Sequence, residues 1–453
     1  MRGRPSIIRD LAIGGVLLLL ATATSAQPWD VRVAADNGSG FAPIDTLILP
    51  DGTRALGYRD QRGRATVTYQ TDVGFTQFNE GEGVGGFASF ATDPFGQIHF
   101  ASIAGDVVYG TDFARRDQFA LEFDPGETPG NPVSNSAIAV DERGIPTLLR
   151  WFNENSGGSF VADTFDPVST QWQPQRVPSS LQANNNIGVD ATYLSDGRQA
   201  WLASNGFEWE VLIEDAQAGW NQPFALTGTR SGAPFLSSLT GFGDGGLAFA
   251  TFNAGKIEVN LFDGVALTTE TITESPGPYL LSFDAIADDG ADGLGVVFTE
   301  PNGSVFLAER VGADDWTVED LGVAGRFASL AYGASGSPVI GVVANGSNDV
   351  LLITQGIFGD YNGNGQVEQG DLNLVLSNWG VDTSPVASGG LGVPVGWVND
   401  RPDGVVDQAE LNGVLSHWGT SQAPVMQGFA VPEPGAAALV AAGIVWGSRR
   451  MRR

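Results

Sequence analysis

Seven short glycine-bearing turns recur along residues 27–355 of this chain. Their anchors are Gly52, Gly96, Gly144, Gly197, Gly245, Gly293 and Gly336, separated by 44, 48, 53, 48, 48 and 43 residues. The flanks compare well. TLILPDGTRALGY, IAVDERGIPTLLRW, ATYLSDGRQAWLAS and LTGFGDGGLAFATF each read as apolar strand, turn, apolar strand. Glycine suits such turns because a tight reversal between strands demands a positive φ that a Cβ opposes. No long helical periodicity interrupts the array, and its strands are rich in Val, Leu, Phe, Ala and Thr. One such unit cannot bury its own apolar face, so the units must stack or close into a ring.

A period in the forties with four strands per unit is the pattern of β-propeller blades. The fourth strand is more polar and recurs as QWQPQRV (171–177), GWNQPFAL (219–226) and DWTVEDL (315–321). The last unit, 327–355, has room for three strands. The segment QPWDVRVA (27–34) reads as an orphan fourth strand that completes it, which would leave no open sheet edge. The expected fold is mainly β, a seven-bladed β-propeller, with six or eight blades if a turn is misread and a β-sandwich pair as the alternative. Asn37, Asn302 and Asn345, each in Asn-Gly-Ser, are expected at turns.

Beyond the array the chain repeats a phrase: DLNLVLSNWG (371–380) and ELNGVLSHWG (410–419). Each copy follows a loop rich in Asp, Asn and Gly. Calcium is a hard cation that takes oxygen ligands from alternating positions of a twelve-residue loop and from its last residue, with Gly at the sharp turn. In the first loop these are Asp360, Asn362, Asn364, Gln366 through its carbonyl, Glu368 and Asp371, around Gly365. In the second they are Asn399, Asp403, Val405 through its carbonyl, Asp407 and Glu410. There Arg401 puts a cation where an oxygen is wanted, so this site is the weaker. Leu372, Val375, Leu376 and Trp379, like Leu411, Val414, Leu415 and Trp418, fall at helical spacing. Two short helices are expected to pack on each other around the two Trp rings.

The pattern D-x-N-x-[DN]-G-x5-D followed by one helix, repeated after a linker, resembles the type I dockerin module. The resemblance covers residues 356–420 and implies calcium-dependent folding and docking on a cohesin-like partner. That family often has Ser or Thr at the tenth and eleventh loop positions. Here Gln369-Gly370 and Gln408-Ala409 stand there, a departure from the family's partner-reading pair.

The two ends are addresses. Arg2, Arg4 and Arg9, the apolar stretch Leu11 to Leu20 and the small residues Thr24-Ser25-Ala26 make residues 1–26 a secretion signal. After a linker at 421–430, Val431-Pro432-Glu433-Pro434 precedes an apolar run, 435–447, and then Arg449, Arg450, Arg452 and Arg453. Residues 431–453 resemble the PEP-CTERM sorting signal. The resemblance implies a hydrophobic, transiently membrane-anchoring helix and an exosortase-type processing enzyme. It also implies an address in the cell envelope, at the surface or in the extracellular matrix.

Composition narrows the chemistry. There is no Cys, hence no disulfide, thiolate metal site or Cys nucleophile. The net charge is −29, and the two ends hold seven of the 23 basic residues but two of the 52 acidic ones, so the body is more acidic still. Such a surface repels nucleic acid and anionic lipid. The two histidines, His99 on an apolar strand and His417 in the second helix, assemble no Ser-His-Asp set. Asp93, Asp141, Asp190, Asp244 and Asp288 recur near equivalent turn positions, which reads as turn chemistry. The favoured reading is a non-catalytic surface or matrix protein, its propeller used for binding or spacing. The alternative is an extracellular polysaccharide-active enzyme, a glycoside hydrolase or lyase, marked by a carboxylate pair in the central channel.

Overall fold

A computed structural model describes residues 29–420, apart from 41, 51, 72–73, 81–87, 104–106, 112–131, 155–156, 182–187, 206, 230–237, 254, 274–284, 290–292, 334–335, 356–358, 363–365, 384–393, 395–396 and 398–404. The chain opens with β1 (Trp29–Ala35). There follow β2 (Ile44–Ile48), β3 (Arg54–Arg59), β4 (Ala65–Thr71) and β5 (Gly74–Glu80), then β6 (Ala88–Thr92), β7 (Ile98–Ile103) and β8 (Val107–Thr111). The next units are β9 (Pro132–Val140), β10 (Pro146–Glu154), β11 (Gly157–Asp166) and β12 (Gln171–Ser179), and β13 (Gly188–Tyr193), β14 (Gln199–Ser204), β15 (Glu208–Asp215) and β16 (Gly219–Thr229). After them come β17 (Ser238–Phe242), β18 (Gly246–Asn253), β19 (Lys256–Phe262) and β20 (Leu267–Thr273). The array ends with β21 (Ile286–Asp288), β22 (Leu294–Thr299), β23 (Ser304–Gly312), the long β24 (Asp315–Tyr332), β25 (Pro338–Ala344) and β26 (Val350–Gln355). Two helices follow, α1 (Gln369–Ser377) and α2 (Gln408–Ser416).

Every described strand pair is antiparallel and each unit is a meander, as in β2-β3-β4-β5 or β13-β14-β15-β16. One sheet holds seven strands because β24 serves two units: Asp315–Asp320 pairs with β23, and Gly325–Tyr332 pairs with β25. The first strands touch in succession, β2, β6, β9, β13, β17, β21 and the second half of β24, which returns to β2. This is a β-propeller arrangement. β1 lies antiparallel to β26, from Trp29 opposite Gln355 to Ala35 opposite Val350. The start of the array thus supplies the outer strand of its last sheet.

The turns explain the spacing of the glycines. Gly52, Gly96, Gly144, Gly197 and Gly336 each donate an N–H to the carbonyl three residues back, at 2.8–3.1 Å. Their φ values lie between 72° and 86°, and Gly245 also sits at 72°. Gly293 departs from the set: it is absent from the positive-φ glycines, and its N–H donates to Asp289 Oδ1 at 2.9 Å. Of the three Asn-Gly-Ser sequences, Gly303 and Gly346 take positive φ, whereas Gly38 forms an isolated antiparallel bridge with Asp60.

Adjacent units are stitched at the ring's inner edge. Asp45 Oδ2 accepts the N–H of Phe90 (2.6 Å), Ser89 Oγ that of Ile138 (3.3 Å), Asp190 Oδ2 that of Leu239 (2.7 Å) and Ser238 Oγ that of Ile286 (3.1 Å). Thr46 closes the circle on Ser329, donating to its carbonyl at 3.1 Å. The equivalent positions of the two remaining units are Ala137 and Ala285. The first four of these bonds give buried backbone N–H groups an acceptor in the neighbouring unit. Asp190 therefore lies within a strand, not at a turn as its spacing predicts. Asp93 and Asp141 do open turns, each accepting two backbone N–H groups through Oδ1, while Asp288 ends β21 and its neighbour Asp289 opens the turn. Between sheets the core is apolar and locally aromatic. Phe160 lies 5.4 Å from Trp151 and 6.0 Å from Trp201, all three buried.

Asp190→Ala leaves the Leu239 N–H buried and unsatisfied. It should destabilise the fold by about 1–3 kcal/mol in a denaturant titration. Glu142→Ala, at an exposed turn position, should change stability by less than about 0.5 kcal/mol.

Candidate functional site

The loop-helix pair at 359–420 is built by helix capping. Asp371, the third residue of α1, accepts the N–H groups of Asn362 (2.9 Å) and Glu368 (2.9 Å) on its two carboxylate oxygens. Glu368 is the N-cap and completes a capping box with Asp371. In α2, Asp407 is the N-cap: its side chain accepts from Ala409 N, and its own N–H donates to Glu410 Oε2 at 2.7 Å. Glu368, Asp371, Asp407 and Glu410 are thus both candidate ligands and capping groups. Asp360 and Asp371 are buried, at 2% and 0% exposure, and Glu410 is at 5%. Asn362 is half-buried, while Gln366 and Val405 are exposed. Asn364, Asn399 and Asp403 lie outside the described residues, as do Gly365 and Arg401. Among the described residues no three Asp, Glu or His side chains converge on one point.

The donor set in the first loop still fits a hard cation. Residues 356–420 hold no lysine and a single arginine, Arg401 of the second loop. Burying carboxylates is costly without a compensating charge. A carboxylate oxygen that accepts one N–H retains a lone pair for a metal. Gly370 is fixed by the same loop, because a Cβ there would stand 2.7 Å from Asn362 Nδ2.

The two copies are related by a pseudo-two-fold. Val367 exchanges backbone bonds with Gly419 and Thr420 beyond α2, and Val406 does so with Gly380 and Val381 beyond α1, at 2.8–3.0 Å. The core between them keeps half of the expected periodic set, Val375 and Val414 being buried with Leu372 and Leu411 against them, and departs at the rest. Trp379 and Trp418 are each 48% exposed, and Leu376 and Leu415 each 54%. Both Trp residues stand past the ends of nine-residue helices, where the chain has already turned away. The space is filled by Val375, Val414, Val367 and Val406, with Tyr361 stacked on Trp397 at 4.6 Å. Tyr361 also donates to the Glu410 carbonyl at 2.9 Å, tying the first loop to α2.

The propeller's first strands line an open cavity of about 420 Å³. It is lined by Thr46, Thr92, Thr192 and Thr240, by alanines and aliphatics, and by Asp288, Tyr193 and Tyr332. Asp288 is the one carboxylate among its described lining residues. Tyr193 shares its hydroxyl with Thr147 (2.9 Å) and Gln199 (2.7 Å), and burial pushes its pKa up to about 12. Tyr332 donates to Glu309 Oε1 at 3.1 Å, and burial raises both the Glu309 carboxyl and the Tyr332 hydroxyl above their ordinary values. His99 does not line the cavity. It is 3% exposed, with Nε2 3.5 Å from Asp93 Oδ2, and burial lowers its pKa while Asp93 opposes the shift. His417 caps α2, its Nδ1 3.1 Å from the Gly413 carbonyl.

No family model matches the chain, and no curated protein matches it. Solved structures of similar fold do exist. A lectin from Burkholderia pseudomallei matches at TM-score 0.52 and 11% identity, over 70% of this chain and 95% of its own. A fungal lectin from Aleuria aurantia, described as a six-bladed β-propeller with a novel fucose recognition mode, matches at TM-score 0.43 and 13% identity. That match covers 64% of this chain and 96% of the lectin. The polysaccharide lyase Uly1 matches at TM-score 0.44 and 10% identity, over 71% and 90% of the two chains. At these identities the likeness is one of fold.

His99 gives the propeller a pH dependence. Its folded pKa lies below the ordinary 6.5, so the unfolded chain binds the extra proton and stability falls as pH drops below 6.5. Denaturant midpoints measured from pH 7 down to about 5 should fall less for His99→Gln than for the parent chain.

Proposed function

We propose that this chain is an exported, envelope-sorted surface or matrix protein that binds or spaces polysaccharide through a closed propeller. Residues 1–26 direct export and 431–453 direct sorting by an exosortase-type enzyme; both lie outside the described residues. The propeller has seven blades, one for each of the first strands in the ring, with β1 completing the last. Residues 356–420 form a dockerin-like module, stabilised by calcium at Asp360, Asn362, Asn364, Gln366, Glu368 and Asp371. The second loop is a weaker site. Bound calcium would neutralise the buried carboxylates of the first loop. The protein residues themselves hold the loop to α1 through the Glu368–Asp371 box. The module docks on a cohesin-like or other envelope protein.

The observation that carries the binding reading is the cavity lining. Threonines and alanines suit contact with a neutral ligand, whereas two-carboxylate glycoside hydrolysis needs a close acidic pair. The tyrosines that reach the cavity are engaged with Thr147, Gln199 and Glu309. Carbohydrate is the ligand class suggested by the fold shared with the Burkholderia pseudomallei lectin.

Incubated with a panel of polysaccharides, the exported chain should retain one or more of them and release no reducing ends or unsaturated products. Product release would establish the hydrolase or lyase reading instead. In a thermal melt, calcium should raise the module's transition and chelator should lower it. Asp360→Ala should remove most of the gain. Identical melts in calcium and chelator would exclude the metal.

A further inference from the structure

Two neighbouring units, β13–β16 and β17–β20, align with a constant offset of 48 residues, so their seams can be compared position by position. In the first, Arg198 reaches from its turn toward the next unit. Its Nε lies 2.7 Å from Asp196 Oδ2, and its terminal nitrogens donate to the carbonyls of Glu214 (3.4 Å) and Gly245 (3.2 Å). That guanidinium bridges the seam between the two units. In the second unit the counterparts of Asp196, Arg198 and Glu214 are Asp244, Gly246 and Phe262. The carboxylate and the backbone carbonyl persist, but the cation between them is gone.

A pocket of about 360 Å³ stands in its place. Phe242 and Leu261 give it an apolar wall, and Asp244, Asp263 and Thr268 give it polar groups. A Cβ on Gly246 would lie 2.5 Å from the Phe262 carbonyl oxygen. No side chain can therefore grow from that position to close the space, and the carbonyl fronts it. Asp263 Oδ1 accepts the N–H groups of Val265 (2.8 Å) and Ala266 (2.7 Å), which fixes the carboxylate and leaves Oδ2 available. Among the described residues neither Asp244 nor Asp263 is paired with a cation. The volume lies in the range of small-ligand sites, which combine apolar walls with a few placed polar groups.

We infer that this pocket, lined by residues of the β17–β20 unit, binds a saccharide unit bearing a free amine. Its ammonium takes the place Arg198 occupies one unit earlier, against Asp244 and the Phe262 carbonyl, while its ring rests on Phe242 and Leu261. The assignment rests on the polysaccharide-binding reading and adds a site and a charge to it. A uronate would meet two carboxylates and be repelled, whereas an ammonium is attracted.

The test is calorimetric titration of the exported chain with glucosamine oligomers and with N-acetylglucosamine oligomers of the same length. The amine form should bind at least about tenfold more tightly, and Asp244→Asn should remove about tenfold of that affinity. Asp215→Asn, the counterpart of Asp263 in the unit that carries Arg198, should leave binding unchanged. Equal affinity for the two oligomers, or indifference to Asp244→Asn, would overturn the inference while any binding of neutral polysaccharide left the broader reading intact. Stronger binding of an arginine-bearing peptide than of the amine oligomer would also overturn it, in favour of a protein partner. Absence of binding to every saccharide would overturn both.

Discussion

The pairing of β1 with β26 is the constraint on which the rest of the propeller depends. A linear array of meanders would end in two open strand edges, each a row of unmet N–H and C=O groups. Here the N-terminal strand lies on the outer edge of the last sheet, so the first and last parts of the array are held by one ladder. Trp29 adds an indole N–H donated to Glu319 of β24 at 2.9 Å, which ties that outer strand to the preceding unit. With the ends joined, the first strands are forced into a ring, and the stitches from Asp45, Ser89, Asp190, Ser238 and Thr46 become possible. The cavity is a consequence of that ring.

Much of this architecture is legible in the sequence because glycine carries an unambiguous physical signal. A turn whose fourth residue must adopt positive φ selects glycine, and five of the seven anchor glycines repeat the same backbone bond. The polar fourth strands were equally readable, since β12, β16 and the first half of β24 are made mostly of exposed and half-buried positions. The inner stitches were not readable. Asp and Ser at those positions look like ordinary turn or strand residues, and their partner is a backbone N–H nearly fifty residues away, which no local pattern encodes. The pocket of the β17–β20 unit was hidden for a related reason: Gly246 differs from Arg198 only when two units are laid over each other.

The terminal module shows a different limit. Its loops and helices follow from spacing and capping chemistry, and Asp371 and Glu410 stand where the twelve-residue pattern puts them. Its core follows helical periodicity at Leu372, Val375, Leu411 and Val414 but not at Leu376, Trp379, Leu415 and Trp418. Each helix is nine residues long, so a Trp eight positions beyond the last loop residue falls past the helix end and outside the packed face. Tyr361 and Trp397, from a loop and a linker, supply the aromatic stack instead. The residues that would bind calcium also cap the helices, so metal binding and helix formation draw on the same carboxylates.

The chain's lack of cysteine allows closure of the ring to be tested directly. Val33 and Leu351 face each other across the β1–β26 ladder, Val33 largely exposed and Leu351 nearly buried. In the variant carrying Val33→Cys and Leu351→Cys, closure predicts a disulfide within one chain on mild oxidation, seen as a mobility shift of the monomer, and a higher unfolding temperature in the oxidised form. Thiols that stay reduced, or that cross-link only between chains, would contradict closure of the ring by its own N-terminal strand.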